Sequence, residues 1–385
     1  MPREDEFAGA DEVPSVRIAE MISGTGVDGP SRCCAMLCRQ LAARGHEVLL
    51  FHRRGAWIAG NVDRAGVRLF EFGRGFAELR RVKRLLRDER VEVLHTHMTG
   101  ASNFGVWLRL LAGVPVVATL HSGRMRPHWR FNNRVIALSR PTFDRARGAC
   151  SAARVALIPN FIEAAGTSRP NPAERMAMRR AFGIPDAAFI VGSVGKVAPA
   201  KRPMDLVNAV AEVVRAGVDC HLVLVGPIYR DEGKVVAHRA AAEGLAGRLT
   251  FAGLRQDVAK ILNTLDVYVS PSQEEEMSVA VMEAMAAGLP IVATNVGGLP
   301  ILVAEGCNGF LTDVGTVGQI ADRLVRLARA PELRQRMGAA SLERVAADFS
   351  PEVIVPRIEQ TLAEAAAAGR RWHRAVAARR VAGSA

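Results

Sequence analysis

Two glutamates, Glu275 and Glu283, stand eight positions apart in the segment from Pro271 to Gly298. Glu275 belongs to a loop of three carboxylates, and the spacing of apolar residues after Ser278 predicts a helix that the serine caps. The unpaired N–H groups at such a helix start suit a phosphate, and the carboxylates can accept hydrogen bonds from hydroxyl groups. A nucleotide sugar carries both kinds of group and would fit this segment; the alternative is an ordinary solvated acidic loop before a helix.

Two lysines form a second candidate, directly after a predicted strand. Lys196 and Lys201 follow Gly195 by one and six positions. Their ammonium groups can converge on one diphosphate and stabilise the charge that develops on a leaving group. The alternative is a pair of surface lysines at the end of a strand.

A glycine loop near the N-terminus has the spacing of a dinucleotide site. Gly24, Gly26 and Gly29 form G-x-G-x-x-G between a predicted strand and a predicted helix. An NAD enzyme needs an acidic residue at the end of the second strand, where this chain has His52 and Arg53. NAD is therefore disfavoured, and an NADP-dependent oxidoreductase stays open as a remote alternative.

Strands and helices alternate twice along the chain, which indicates two α/β units with mostly parallel, doubly wound sheets. The Gly, Ser, Thr and Pro content of residues 163–172 predicts a linker between them. In such sheets a ligand binds at the carboxyl ends of the strands. The predicted strands are 16–21, 47–51, 67–70, 91–95, 116–120, 134–139 and 155–158, then 189–194, 221–225, 249–251, 266–269 and 291–294.

Length and composition indicate a globular protein of two domains. The chain has 385 residues, 49% of them hydrophobic. The N-terminus is acidic and polar and no apolar run is long enough to span a bilayer, which predicts a cytoplasmic protein. The six cysteines form no C-x-x-C pair, so buried thiols are expected rather than a zinc or redox site.

The net charge of +12 and the pI near 10.3 favour an anionic partner. Specific nucleic-acid binding is not expected, because no zinc finger, basic zipper or RNP motif is present. Two basic amphipathic segments suit an anionic membrane surface, unless they are ordinary solvated helix faces. Their cations and one histidine are Arg80, Arg81, Lys83, Arg84, Arg87 and Arg90, and in the tail Arg370, Arg371, His373, Arg374, Arg379 and Arg380.

The run Glu283-Ala-Met-Ala-Ala-Gly-Leu-Pro290, with a second glutamate eight positions upstream, resembles the retaining glycosyltransferases of family four. The resemblance implies the GT-B fold, in which two Rossmann-like doubly wound parallel-sheet domains face a central cleft. It places an acceptor-binding domain at residues 13–165 and a nucleotide-sugar-binding domain at 186–350. Residues 351–385 would be a crossover helix and a basic tail.

The resemblance also implies roles for particular residues. Glu275 would hold the sugar hydroxyls, and Glu283 the ribose hydroxyls. Lys196 and Lys201 would neutralise the departing diphosphate. His121, which follows a predicted strand, would face the transferred sugar. The remaining donor-binding positions are Gly29 and Gly195 near the diphosphate, Ser278 and Val279 at the helix start, and Gly253 and Leu254 beside the base.

The activity implied is retaining transfer of a hexosyl or N-acetylhexosaminyl group from a UDP- or GDP-sugar to a glycan or lipid-linked acceptor. Cell-envelope polysaccharide would be the setting, and the enzyme would act in the cytoplasm, peripherally at the inner membrane face. Neither a metal nor a cofactor is expected. Lys196, Phe161 and Ile301 depart from the family pattern of Arg, Gly and Glu. A catalytically degenerate nucleotide-sugar-binding protein and a GT-B nucleotide-sugar epimerase therefore remain alternatives.

Overall fold

The computed structural model describes residues 14–124, 126–163 and 172–382, with side chains as far as Arg371. Within it the chain divides into two compact units. The first unit comprises the residues up to Pro159 together with those from Pro351 onward, and the second comprises Asn160–Ser350. The predicted linker at 163–172 falls largely outside the described residues.

The first unit contains a seven-stranded sheet in the order β3-β2-β1-β4-β5-β6-β7, and every strand pair is parallel. Its strands are β1 (Arg17–Ile22), β2 (Glu47–His52), β3 (Val67–Glu71), β4 (Val93–His97), β5 (Val116–Leu120), β6 (Arg134–Ala137) and β7 (Val155–Leu157). The helices between them are α1 (Gly29–Ala43), α2 (Ile58–Asn61), α3 (Phe76–Asp88), α4 (Met98–Ala112) and α5 (Arg140–Ala149).

Helix α1 begins at Gly29, because the carboxylate of Asp28 caps it. Asp28 Oδ1 accepts a hydrogen bond from the Ser31 N–H at 2.9 Å, and Pro30 occupies the first turn, where no N–H is needed. Apolar faces of the helices cover the sheet; α3 buries Leu79, Val82 and Leu86 there.

Strand β4 lies two residues later than the predicted 91–95. Its last residue, His97, is paired with Ile22 of β1 and Thr119 of β5. The strand therefore ends at His97, two residues beyond the predicted bound. Both His95 and His97 belong to the strand and are buried, because a buried acidic partner on β1 binds their rings.

The second unit contains a six-stranded parallel sheet in the order β10-β9-β8-β11-β12-β13. Its strands are β8 (Phe189–Val194), β9 (Cys220–Val225), β10 (Leu249–Gly253), β11 (Val267–Ser270), β12 (Ile291–Thr294) and β13 (Gly309–Thr312). Its helices are α6 (Pro172–Ala181), α7 (Pro203–Arg215), α8 (Glu232–Ala242), α9 (Val258–Leu262), α10 (Val279–Ala286), α11 (Leu299–Leu302), α12 (Val317–Arg329) and α13 (Pro331–Asp348).

Strand β13 was not predicted from the sequence. It is four residues long and begins at Gly309, a residue type that weakens a strand signal. The glycine is required there, since a Cβ would overlap the carbonyl group of Ile291 on β12. The sheet therefore has six strands, and its core packs against α7 and α12 through residues such as Leu206, Val210 and Leu324.

The chain returns to the first unit in α14 (Pro351–Ala382). Its buried Glu359 accepts hydrogen bonds from His46 Nε2 at 2.8 Å and Arg44 Nε at 2.7 Å. Arg357 donates to the carbonyl oxygen of Leu157 on β7 at 2.8 Å. These contacts attach α14 to loops and strands of the first sheet.

Both sheets have the doubly wound order. At its topological switch point, the connections that follow two neighbouring central strands run toward opposite edges of the sheet. The two strands are β1 and β4 in the first sheet, and β8 and β11 in the second. A crevice opens outside their carboxyl ends, and this is where open α/β sheets bind ligands. Two α/β units with entirely parallel sheets confirm the predicted fold class.

Candidate functional site

A pocket opens at the carboxyl ends of β8 and β11, where the loops after these strands diverge. The loop 195–202 forms one wall and the loop 271–278 forms the other. Its polar lining consists of Ser193, Lys196, Lys201, Tyr268, Ser270, Ser272, Glu275 and Ser278. The predicted site residues Gly195, Lys196, Lys201, Glu275 and Ser278 are thus brought together, although those of one loop lie 74 to 83 positions from those of the other in the sequence.

Lys201 and Glu275 form an ion pair across the pocket, between Nζ and Oε2. The Glu275 side chain is 14% exposed and the Lys201 side chain 39% exposed. The backbone holds the two loops in place as well, since Gln273 N–H donates to the carbonyl oxygen of Ala200 at 3.0 Å. A cation and an anion therefore stand side by side at the pocket wall, positioned by two rigid loops.

Lys196 lies on the same wall but makes a different contact. Its ammonium group is 5.7 Å from the ring centroid of Tyr229, in the loop after β9. Two backbone hydrogen bonds fix that loop to the loop that carries Lys196. Val197 N–H donates to the carbonyl oxygen of Pro227, and Tyr229 N–H donates to the carbonyl oxygen of Val197. Lys196 is exposed and retains the mobility of a lysine stem, so it can reach an anion in the pocket.

Helix α10 starts at the pocket and points its N-terminus toward it. Ser278 is the N-cap, and its hydroxyl accepts a hydrogen bond from the Val281 N–H at 3.3 Å. Val279 is the first residue of the helix and its side chain is buried. The start of a helix presents N–H groups and partial positive charge, the arrangement that binds phosphate groups.

The glycine pair after β12 supports the acidic loop from behind. Gly297 has φ +55°, and a Cβ on it would overlap the carbonyl oxygen of Glu275. A Cβ on Gly298 would likewise overlap the carbonyl oxygen of Glu276. Gly298 N–H donates to the backbone carbonyl oxygen of Glu275 at 3.3 Å. The close approach of the two loops explains why only glycine fits at these positions.

Sequence reasoning missed Tyr268, a fully buried tyrosine on β11 that forms the floor of the pocket. Its hydroxyl donates to the carbonyl oxygen of Val194 at 3.1 Å. Burial raises the pKa of Tyr268, and the carboxylates of Glu275 and Glu283 raise it further. The signal available in the sequence was a tyrosine, with its polar hydroxyl group, in a strand whose neighbouring residues are apolar.

Three other residues predicted to bind the donor, Glu283, Gly253 and Leu254, do not line this pocket. Glu283 is half-buried on α10, one turn beyond the helix start. Gly253 ends β10, where its carbonyl oxygen accepts from Gly226 N–H at 2.8 Å, and Leu254 is 61% exposed. Gly195 approaches Gly226 so closely that a Cβ on Gly226 would overlap its carbonyl oxygen.

Gly29 and His121 belong to the first unit. Gly29 is the first residue of α1, next to the capping Asp28. His121 directly follows β5, as predicted, and is half-buried. Its Nε2 lies 3.0 Å from Nδ1 of His97. Burial lowers the pKa of both histidines, and neighbouring imidazoles lower it further.

A buried carboxylate, Glu20, lies behind His97. Its Oε2 is 2.8 Å from Nε2 of His97, and its Oε1 is 3.0 Å from Nδ1 of His95. Burial acts to raise the pKa of Glu20, but the charge and hydrogen bond of His95 and the hydrogen bond of His97 lower it to about 2. Among the described residues, Glu20, Cys34 and His97 are also close enough by distance to hold a metal ion.

The fold and the pocket define a class: two Rossmann-like units, one of which carries a phosphate-suited pocket at its topological switch point. HepE of Anabaena, solved in complex with UDP, has the same fold, with a TM-score of 0.81 over 91% of this chain and 100% of that one at 20% identity. This agreement confirms the predicted GT-B architecture.

Two family models match the chain. "Glycosyltransferase Family 4" matches residues 27–165, and "Glycosyl transferases group 1" matches residues 174–344. The chain therefore belongs to the family-four type of glycosyltransferases, and the family predicted from the sequence is confirmed.

Two curated relatives carry specific names. N-acetyl-alpha-D-glucosaminyl L-malate synthase of Bacillus anthracis is 31% identical over 182 residues, which is 47% of this chain and 47% of that protein. Alpha-D-kanosaminyltransferase of Streptomyces kanamyceticus is 28% identical over 302 residues, 71% of this chain and 77% of that one. The chain thus spans about half the length of the first relative.

The NADP-dependent oxidoreductase finds no support in this family. Arg53, which an NADP enzyme would direct at a ribose phosphate, instead lies over the ring of Phe72 at 4.0 Å from its centroid. It also donates to the carbonyl oxygens of Phe72 and Gly73. Arg53 is therefore already bound by residues of the first unit and is not directed at a ribose phosphate.

Proposed function

We propose that this protein is a retaining glycosyltransferase that takes a sugar from a UDP- or GDP-sugar and passes it to a glycan or lipid-linked acceptor, without a metal ion. The observation that carries the proposal is the ion pair between Lys201 and Glu275 at the pocket of the second unit. It places a cation for a diphosphate beside a carboxylate for sugar hydroxyls, at the start of α10.

In the proposed reaction the bond between the anomeric carbon and the β-phosphate oxygen breaks, and a bond from the acceptor oxygen forms on the same face. The leaving phosphate takes the acceptor proton, so protons balance without a protein base. Lys196, Lys201 and the N-terminus of α10 stabilise the negative charge of the departing diphosphate. Glu275 accepts hydrogen bonds from the sugar, and Glu283 from the ribose.

The names of the relatives support a hexosyl or aminohexosyl donor. One relative is named for an N-acetylglucosaminyl product and one for kanosaminyl transfer, and HepE was solved with UDP and with UDP-glucose. A UDP-sugar is therefore the first donor to test, and a GDP-sugar the second.

The acceptor side of the proposal rests on the surface charge of the first unit. Helix α3 presents a row of exposed cations, Arg80, Arg81, Lys83, Arg84 and Arg87, while its apolar side is buried. No helix in the described part of the chain combines the length and apolarity needed to cross a bilayer. Peripheral binding to an anionic membrane would bring the enzyme to a lipid-linked acceptor. Arg370 and Arg371 at the end of α14 are exposed cations as well, and the tail beyond them lies outside the described side chains.

A thermal-shift panel with UDP, GDP, ADP and NADPH tests the nucleotide class. At a hundred times the dissociation constant a ligand stabilises by about 2.7 kcal/mol, enough to move the unfolding midpoint by several degrees. A shift with UDP or GDP supports the proposal, and a shift with NADPH alone overturns it.

Product analysis then separates the remaining candidates. We expect release of the nucleoside diphosphate with a saccharide acceptor, in EDTA as well as without it, and an α-linked product from an α-linked donor. Interconversion of the donor with no acceptor would identify an epimerase. Nucleotide binding with no turnover over a panel of donors and acceptors would identify a binding protein.

A further inference from the structure

Five polar side chains of β1, β4, β5 and the loop after β5 form a continuous hydrogen-bonded chain inside the first unit. Its order is Thr119, His95, Glu20, His97 and His121. The successive donor–acceptor distances are 2.8, 3.0, 2.8 and 3.0 Å. Only His121, at one end, is more than a tenth exposed, and it lies at the carboxyl edge of the sheet.

Glu20 sets the direction of the hydrogen bonds because an ionised carboxylate can only accept. Its lowered pKa keeps it ionised, and each of its oxygens faces a different imidazole. His95 must therefore carry a proton on Nδ1, and His97 must carry one on Nε2. These assignments hold for His95 in either protonation state.

His97 in turn determines which atom donates in its hydrogen bond with His121. The lowered pKa of His97 keeps its imidazole neutral, so a proton on Nε2 leaves Nδ1 as an acceptor. Nδ1 of His97 is 3.0 Å from Nε2 of His121, which must then be the donor. His121 is neutral as well, and its remaining nitrogen, Nδ1, carries a lone pair.

We infer that Glu20, acting through His97, is a positioning residue that holds His121 in the tautomer with a bare Nδ1, so that His121 accepts a hydrogen bond from a ligand hydroxyl. The inference rests on the proposed function for the nature of that ligand, a saccharide. A sugar hydroxyl can donate to Nδ1, whereas a phosphate oxygen or a carbonyl oxygen cannot. The hydrogen-bonded chain of side chains thus favours a ligand that presents a hydroxyl group to His121.

A metal ion shared by Glu20, Cys34 and His97 would reverse the direction. The metal would take the lone pair of His97 Nε2, so the proton would move to Nδ1, and His121 would present a donor to the ligand. The observed spacing favours the hydrogen bond: Glu20 and His97 are 2.8 Å apart, whereas two ligands about 2 Å from a tetrahedral ion lie roughly 3.3 Å apart. A hydrogen bond with Cys38 and burial also raise the pKa of the Cys34 thiol, and metals bind the thiolate.

Nitrogen-15 NMR of the histidine rings tests the inference on the ligand-free protein at pH 7.5. The ring nitrogens report directly which of them is protonated, and loss of signals in His121→Asn and His97→Gln assigns the two rings. We expect His121 and His97 each to be protonated on Nε2 alone. A proton on Nδ1 of either ring, or on both nitrogens, overturns the inference, as does bound zinc in the protein as purified.

Three variants test the origin of the tautomer. His97→Phe removes the acceptor, and we expect His121 to become a mixture of tautomers. His97→Gln is the conservative rescue, because an amide that donates to Glu20 offers its carbonyl oxygen to His121 and should restore one tautomer. Glu20→Gln replaces one of two acceptors by a donor, so the tautomer of His95 or of His97 must reverse. An unchanged His121 in His97→Phe, or no reversal in Glu20→Gln, would refute the role of Glu20.

Addition of ligands to the NMR sample distinguishes failure of this inference from failure of the proposed function. Addition of UDP-glucose should move the Nδ1 resonance of His121, and UDP alone should leave it in place. If the tautomers are as inferred but UDP-glucose neither binds nor moves the resonance, the positioning role stands and the proposed donor fails. If UDP-glucose is turned over while Nδ1 carries the proton, the proposed function stands and the inference fails.

Discussion

The carbonyl oxygen of Glu275 occupies the space that a Cβ on Gly297 would need. Gly297 also has φ +55°, a conformation that costs other residues about 1–2 kcal/mol. The acidic loop after β11 is therefore held in position by a glycine loop after β12, and the two cannot be altered independently.

Replacement of this glycine should damage the pocket. We expect Gly297→Ala to push Glu275 from its position, with a turnover loss of at least tenfold and a lower unfolding midpoint. Gly318→Ala is the matched control, since no atom lies within 4 Å of its Cβ and it is inside α12. There alanine should stabilise by up to about 1 kcal/mol. Wild-type turnover and stability in Gly297→Ala would contradict the close packing of the loops.

Lys201→Ala should reduce catalysis far more than stability. Loss of a preorganised charge partner costs about 2.7–4 kcal/mol of transition-state stabilisation, a fall of roughly 100- to 1,000-fold in kcat. The ion pair with Glu275 is half-exposed on the lysine side, so its loss should change the free energy of unfolding by only about 0–1 kcal/mol. Lys234→Ala, which removes an exposed ion pair with Asp231, should change neither. Unaltered kcat in Lys201→Ala would remove this lysine from the site.

Acid should destabilise the first unit in two steps. The folded state keeps His97 and His121 neutral, whereas the unfolded chain binds protons near pH 6.5, so stability is lost as pH falls below 6.5. Each such histidine contributes a slope of at most about 1.4 kcal/mol per pH unit. Glu20 has the depressed pKa of an acid, about 2 against 4.5, so its contribution is lost as pH falls from 4.5 towards 2.

Tryptophan fluorescence can follow this unfolding, because all four tryptophans belong to the first unit. Urea titrations from pH 7.5 to 5 should show a shallower dependence of stability on pH in His121→Gln than in the wild type. His238→Gln, an exposed histidine of the second unit, should leave the dependence unchanged. An equal slope in all three proteins would mean that His121 is protonated in the fold.

Charge reversal on α3 tests the proposed membrane contact. Each cation near an anionic surface contributes about 1 kcal/mol, so Lys83→Glu with Arg84→Glu should weaken binding to vesicles of anionic lipid at low salt by about tenfold or more. Lys234→Glu with Lys260→Glu makes the same change of net charge on the second unit and should bind as the wild type does. Equal loss in the two double variants, or no vesicle binding by the wild type, would contradict a specific contact through α3.

Local patterns made most of the fold predictable. Parallel strands buried on both faces are continuous apolar runs, so 189–194 and 291–294 were predicted with their observed bounds. The order Glu275, helix cap Ser278, Glu283 and the stop at Gly288 is a local signal too, since caps and glycines act on neighbouring residues. These features identified the family and the segment that forms one wall of the pocket.

Contacts between distant parts of the chain were decided only by the tertiary structure. The sequence placed Lys201 and Glu275 in one site, but the fold shows that they pair with each other, because β8 and β11 are neighbours in the sheet. The sequence singled out His121, but not Glu20, which is an isolated glutamate in an apolar strand. Its role depends on the register that sets it opposite His95 and near His97, and register is fixed by packing of the whole sheet.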